Sequence, residues 1–344
     1  MSEVGKYHTA VYDGDWLLYR GAFAGEKRTI LVKNKHTGEE AELDNRTAMY
    51  GRRKAKDGGW LAKQNEENGT SWVVDDFEIM DVQTPEPLPH TLRTIKQMIE
   101  GVAKNLGVKN REIYIGEGKS FRADRATILE YKGGRSTIKP YYFEEAKKYL
   151  IEVHGAKVVT GIETDDMITM RGMEEGVVVV SPDKDCGGTP ISAWYNPNKP
   201  EDGVVDCRGL GKLWTEEKIN SKGKKERKVR GIGRKFLYLQ VCSSDPTDSY
   251  YANAASEKEW GPISTYDKLA DCTTDAECLE KMVEIYKYLY PTPREVIGWR
   301  GDKVRVSWQY AVNELWDLVR MRRHPEDFVT AEDVLRKFGL WEDD

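Results

Sequence analysis

No stretch of the 344 residues holds the run of about eighteen apolar side chains that a membrane-spanning helix needs, so none is expected. Cysteine is scarce. The five present (Cys186, Cys207, Cys242, Cys272 and Cys278) fall at irregular spacing with no CxxC pair. That pattern excludes a disulfide framework and a zinc ribbon, and it reads as reduced, buried thiols. Histidine is equally sparse: His8, His36, His90, His154 and His324 have no evident serine or cysteine partner. GxSxG and Walker-type loops are missing, which sets aside the acyl-enzyme and P-loop classes. The opening MSEVGKYHTAVYDGDWL lacks the basic-then-apolar order of a secretory signal, so a cytoplasmic location is expected.

What the chain does hold is a packed composition, with ten tryptophans and 39% hydrophobic residues. Its length suits two domains, or one large α/β core with additions. The net charge of −5 is modest, but the charges are segregated along the chain. Residues 218–235, KINSKGKKERKVRGIGRK, carry nine basic residues against the single acid Glu226. Further basic stretches are YGRRKAK, from Tyr50, and GKSFRADRATILEYKGGR at 118–135. A solvated loop accounts for the longest run as readily as a nucleic-acid track does.

Strand-like and helix-like segments alternate. TAVY (9–12), EIYIG (112–116), AKVVTG (156–161) and the four valines of GVVVVSPDKD (176–185) read as strands. The valine run suits a strand buried on both faces, as in a parallel sheet. Amphipathic helical patterns separate them, which predicts an α/β fold with a mostly parallel central sheet flanked by helices. Residues 25–90 interrupt the alternation as an insertion, with a hairpin turning at 35–38 and a proline-rich stop at QTPEPLPH. The expected division is a core over 1–242 and a helical C-terminal region over 243–344.

In open parallel sheets, sites form beyond the carboxyl ends of the strands. Asp13 follows TAVY, and Glu117 follows IYIG. Glu163, Asp165 and Asp166 follow KVVTGI, Asp183 and Asp185 follow VVVVSP, and Asp245 and Asp248 follow FLYLQVCSS. Any one of these reads as a helix cap. Nine acids on one edge would repel one another unless divalent cations neutralised them, and oxygen donors alone select Mg²⁺ or Mn²⁺. Two such ions about 3.5–4 Å apart would make a phosphodiester hydrolysis site.

These residues resemble the structure-specific 5′-nuclease (flap endonuclease) family. The similarity is greatest to bacteriophage 5′→3′ exonucleases and to the 5′-nuclease domain of bacterial DNA polymerase I. YDGDWLLYR resembles the amino-terminal motif, GIETDDM and SPDKD the two central acidic motifs, and SSDPTDS the last acidic pair. GKSFRADRATILEYKGGR resembles the entry to the family's helical arch. The resemblance covers residues 9–20 and about 112–250. It implies a PIN-like core with a helical arch over about 119–150 and two Mg²⁺ ions, replaceable by Mn²⁺. Asp13, Glu117, Glu163 and Asp165 would serve mainly the first ion. Asp166, Asp183, Asp185, Asp245 and Asp248 would serve the second, or a shared shell.

The implied partner is DNA with a free 5′ end, flap or junction, or an RNA–DNA hybrid, bound by a monomer in the cytoplasm (the host's, if the chain is phage-encoded). Arg122, Lys132 and Arg135 would meet the scissile phosphate and its neighbours. Arg20 stands beside the first motif. Arg125 would share a face with Lys132 if 124–132 is helical, and Tyr131 would stack on the terminal base. Lys224, Lys225, Arg227, Lys228 and Arg230 would track duplex DNA. Three features depart from the family: glutamate replaces the usual aspartate at 117, DSYYANAASEKEWG replaces the Gly-rich hairpin after the last acids, and the 25–90 insertion has no counterpart in the polymerase domains. A PIN-type ribonuclease and a catalytically inactive structure-specific DNA-binding protein are the alternative readings.

Overall fold

The computed structural model describes residues 6–51, 58–134, 138–219 and 225–343. Arg135, Lys224 and most of the basic stretch at 50–56 lie outside the described residues. A central sheet of six strands runs in the order Lys157–Gly161, Asn110–Ser120, Thr9–Asp13, Val177–Val180, Trp194–Tyr195, Val204–Val205. All neighbouring pairs are parallel except the last. The two central strands are wholly buried, which explains their unbroken apolar composition.

Alternation sorts the side chains between two layers. Tyr12, Ile113, Val178 and Val180 pack under the helices Gly14–Phe23, Leu88–Leu106 and Phe143–His154. Val11, Tyr114, Val177 and Val179 pack on the other face with Ile168 of the helix Thr164–Gly172. The first helix starts hard against the sheet, because a Cβ at Gly14 would stand 2.2 Å from the Tyr114 carbonyl oxygen. Glycine there lets Asp13 and Asp15 approach the neighbouring strand. Parallel pairing then brings the strands' carboxyl ends to a single edge.

The insertion forms the expected hairpin, Glu26–Asn34 with Glu40–Leu43, turning through Gly38 at φ +74°. A third strand, Phe77–Pro85, pairs along the whole of Glu26–Asn34, and Ile30, Val32, Met49, Leu61 and Phe77 make a separate small core. The C-terminal region contains the helices Pro262–Leu269, Asp275–Leu289, Trp308–Val319 and Ala331–Lys337, with a hairpin of Arg294–Ile297 and Lys303–Val306. Its core also takes in the helix Arg234–Val241 and the side chains of Ala126, Ile128 and Tyr131. The boundary at 242 therefore falls inside one apolar cluster. Among the described residues, no helix is long and apolar enough to cross a membrane.

Two local expectations are corrected. The condition that 124–132 be helical, on which Arg125 and Lys132 would share a face, is not met: the helix Phe121–Arg125 stops there, and Lys132 takes φ +58°. The Glu314 carboxylate accepts from the Thr127 and Ile128 amides at 2.9 and 3.1 Å, which diverts them from a helical ladder. Among the described residues of 119–150, the helices are Phe121–Arg125 and Phe143–His154, so no helical arch spans the stretch between them. The long basic run is not a loop where it is described: Lys225–Ile232 pairs antiparallel with Lys212–Ile219.

Candidate metal and phosphate site

Asp13 ends a central strand and caps the helix that follows, its Oδ1 accepting the Trp16 amide at 3.0 Å. Its Oδ2 accepts the Ser181 hydroxyl at 3.0 Å, which ties it to the end of the adjacent strand. In the first turn of that helix, Asp15 accepts the Gly116 amide at 3.1 Å and the Thr164 hydroxyl at 2.7 Å. Asp165 stands in the first turn of Thr164–Gly172. Asp183 caps the short turn Lys184–Gly188 by accepting the Asp185 amide at 2.9 Å. These residues, with Glu117, Glu163, Asp185 and Asp248, line one cleft of about 550 Å³.

The cleft is electrostatically loaded. Eight carboxylates line it against the cations Arg122 and Lys132. Burial pushes Asp13 up to about 7, and the neighbouring Asp15 and Asp183 charges push the same way. Asp185 is likewise pushed up to about 7 by burial and by Asp183, Asp248 and Asp245. Burial raises Asp165 well above the usual carboxylate range, with Asp183, Asp13 and Glu163 adding to it. Asp15 is raised by burial despite its hydrogen bonds. Each acid thus feels the others, so they share one negative potential.

The donor set fits a hard divalent cation: the metal-capable groups on the lining are carboxylates, with no histidine or cysteine. Asp185 Oδ1 is buried without a hydrogen-bond partner, although Lys184 Nζ lies 3.3 Å away outside hydrogen-bonding geometry. Among the described residues, no three histidine, cysteine or acidic side chains already form a metal cage. Mg²⁺ retains several waters instead of demanding direct contact with every acid.

Several predicted residues lie elsewhere. Asp166 is fully buried, and its carboxylate receives both Arg122 terminal nitrogens at 2.6 and 2.9 Å. It also accepts the Glu163 and Arg322 amides, so it stays ionised below the usual carboxylate range even though burial opposes this. The expected second-ion role of Asp166 is corrected on that ground. Arg122 is corrected with it. Only 2% exposed, it also donates to the Leu318 and Arg320 carbonyls at 2.9 and 3.0 Å, and its Nη1 stands 3.6 Å from Glu163, so the guanidinium is engaged by the protein itself.

Tyr131 is packed into the cleft wall, its hydroxyl donating to Glu163 at 3.3 Å and the Lys132 ammonium above its ring. That burial corrects the stacking role expected of it. Lys132 does reach the cleft, and its Nζ meets Glu163 Oε1 at 2.7 Å. Glu117 sits at the rim, paired with Lys147 at 2.9 Å. Asp245 stands one ion pair away, with Lys184 Nζ 2.8 Å from its carboxylate.

Arg20 is exposed on the first helix, outside the cleft lining. Arg125 faces Asp317 across 3.6 Å and borders a separate recess. Lys228 is exposed in the hairpin strand, across the ladder from Glu216. Lys225 pairs with Glu217 at 3.1 Å, and Arg227 lies over the Tyr266 ring. Arg230 borders a second cleft that meets the acids at Asp13 and Asp183. Sequence reasoning missed Asp15 and Lys184. Both were visible beside the motif acids, in YDGDW and SPDKD. Comparison with protein-family models and with curated proteins finds no match for this chain.

Proposed function

We propose that the protein is a Mg²⁺-dependent, structure-specific 5′→3′ exonuclease and flap endonuclease that hydrolyses phosphodiesters in DNA, and in RNA primers paired to it. One observation carries the reading: Asp13, Asp165, Asp183 and Asp185, delivered by three strand ends, line a single cleft, where burial and the Asp183 charge raise the proton affinity of the other three. Two divalent cations bound there would supply charge stabilisation to the attacking and leaving oxygens. Asp13, Asp165, Asp183 and Asp185 would hold those cations, while Asp15, tied to Gly116 and Thr164, fixes the helix start next to them.

Lys132 is the cation placed to receive the scissile phosphate, exchanging Glu163 for a phosphate oxygen. Its left-handed backbone and the packed Tyr131 beneath it restrict where the ammonium can point. Because the bond attacked is common to every sequence, affinity should fall steeply with salt and show little base preference. The ordered acidic motifs and their resemblance to the 5′-nucleases support the same reading.

The test is a 5′-flapped duplex incubated with and without Mg²⁺, product lengths being read on a gel beside a single-stranded RNA arm. Mg²⁺-dependent cleavage at the flap is expected, with Asp183→Asn abolishing it while DNA binding persists. Full cleavage by Asp183→Asn would overturn the assignment. Cleavage of RNA alone would favour the PIN-type ribonuclease, and binding without any cleavage the inactive protein.

A further inference from the structure

A second cleft, of about 780 Å³, opens from the acid site between the hairpin Lys212–Ile219/Lys225–Ile232 and the chain at 194–205. Asp13 and Asp183 line both clefts, so the two spaces adjoin at the acids. Trp194 and Trp214 border the second one, and so do the cations Lys184, Lys199 and Arg230. The Trp194 ring, only 9% exposed and part of the core on that face of the sheet, forms the floor, its Nε1 donating to the Ser181 carbonyl at 2.9 Å, which leaves Trp214 as the stacking face. Trp214 lies across the hairpin ladder from Arg230 and is only half-buried.

We propose that this groove binds a short single-stranded nucleic-acid segment contiguous with the bond cut at the acids. The inference rests on the phosphodiester-hydrolysis reading above and names the path of one strand. A cleft of this size accepts a few nucleotides. An indole face stacks on any base, and lysine and arginine track the backbone, the combination that single-strand binders use. The groove also contains Glu216 and Asp202, and its cations are partly engaged: Arg230 with Glu216 at 3.2 Å, Lys184 with Asp245 at 2.8 Å. Arg230, Glu216 and Asp245 keep 24, 29 and 18% of their side-chain surface exposed, so these pairs are partly screened by solvent and can exchange for phosphate. Lys199 is exposed at the mouth.

The test measures binding of a phosphorothioate oligothymidylate to the full chain in Mg²⁺ by fluorescence anisotropy, for wild type, Trp214→Ala, Trp214→Phe and Lys199→Glu. Trp214→Ala should weaken binding by roughly tenfold or more, and Trp214→Phe should retain most of it. Lys199→Glu should weaken binding several-fold and flatten its salt dependence. Thermal melts identify any variant whose hairpin has come apart; Lys199→Glu, on exposed chain, decides if Trp214→Ala is one. Native-like binding by Lys199→Glu and by a folded Trp214→Ala would overturn the groove. So would thymidine monophosphate competing as well as the oligomer. Flap cleavage by wild type with unchanged variant binding sinks the groove alone. Oligomer binding that falls as predicted in a protein that cleaves nothing sinks the nuclease reading alone.

Discussion

Asp165 and Asp166 are adjacent in the chain, yet they belong to regions governed by opposite electrostatics. Asp165 faces Asp13, Asp183 and Glu163 and is driven toward protonation. Asp166 lies behind it on Arg122, in a buried brace that runs through the Arg320 carbonyl to the Arg320–Asp327 pair, closed at 2.7 and 2.8 Å. In the brace, each buried carboxylate has a guanidinium and backbone amides, and the pairs lock the C-terminal region to the sheet. In the cleft, Asp13, Asp15, Asp165 and Asp183 have no ion pair among the described residues. A fold can bury charge in either way, but the second arrangement is relieved by protonation or by a bound cation.

Substitution on the two sides should therefore give opposite signatures. Asp165→Asn should lower flap cleavage on the order of a thousandfold, measured under single-turnover conditions, while leaving the metal-free melting temperature unchanged or raised. Asp166→Ala should instead cost about 3–5 kcal/mol in chemical denaturation, because it strands the buried Arg122. Matching losses of stability from both would erase the distinction.

Proton linkage sharpens the contrast. Asp13 and Asp185 are raised to about 7 on folding, so between about 4 and 7 the folded chain holds protons that the unfolded chain has lost. Metal-free stability should thus fall as pH rises across that interval. Mg²⁺ should restore it, raising the melting temperature more at pH 8 than at pH 5. An equal Mg²⁺ effect at both values would contradict the linkage.

The smallest effect belongs to a partly exposed pair outside both regions. Arg171, at 2.7 Å, holds Glu112 down at about 2. That stabilisation is present above the ordinary glutamate value and is lost as pH falls from about 4.5 toward 2. After allowance for solvent screening it amounts to about 1 kcal/mol, and Glu112→Gln should remove it from the acid-denaturation curve.

The sheet was legible because a strand buried on both faces has little choice of composition: Val177–Val180 could hardly be anything else. The acids at strand ends were legible for the related reason that parallel strands share an exit edge. Which acid faces the cleft was not. Residues 165 and 166 point in different directions from one helical turn, and the partner of Asp166 lies 44 positions away at Arg122. The irregular path after Arg125 was hidden likewise, because Glu314 holds its amides from 187 residues further on. Phe77–Pro85 escaped notice because an exposed, polar edge pattern ending in proline resembles loop.

The most direct measurement is anomalous diffraction from crystals of the full chain soaked in Mn²⁺. The account predicts manganese peaks among Asp13, Asp165, Asp183 and Asp185, with none at Asp166. Strong peaks elsewhere and an empty cleft would contradict it.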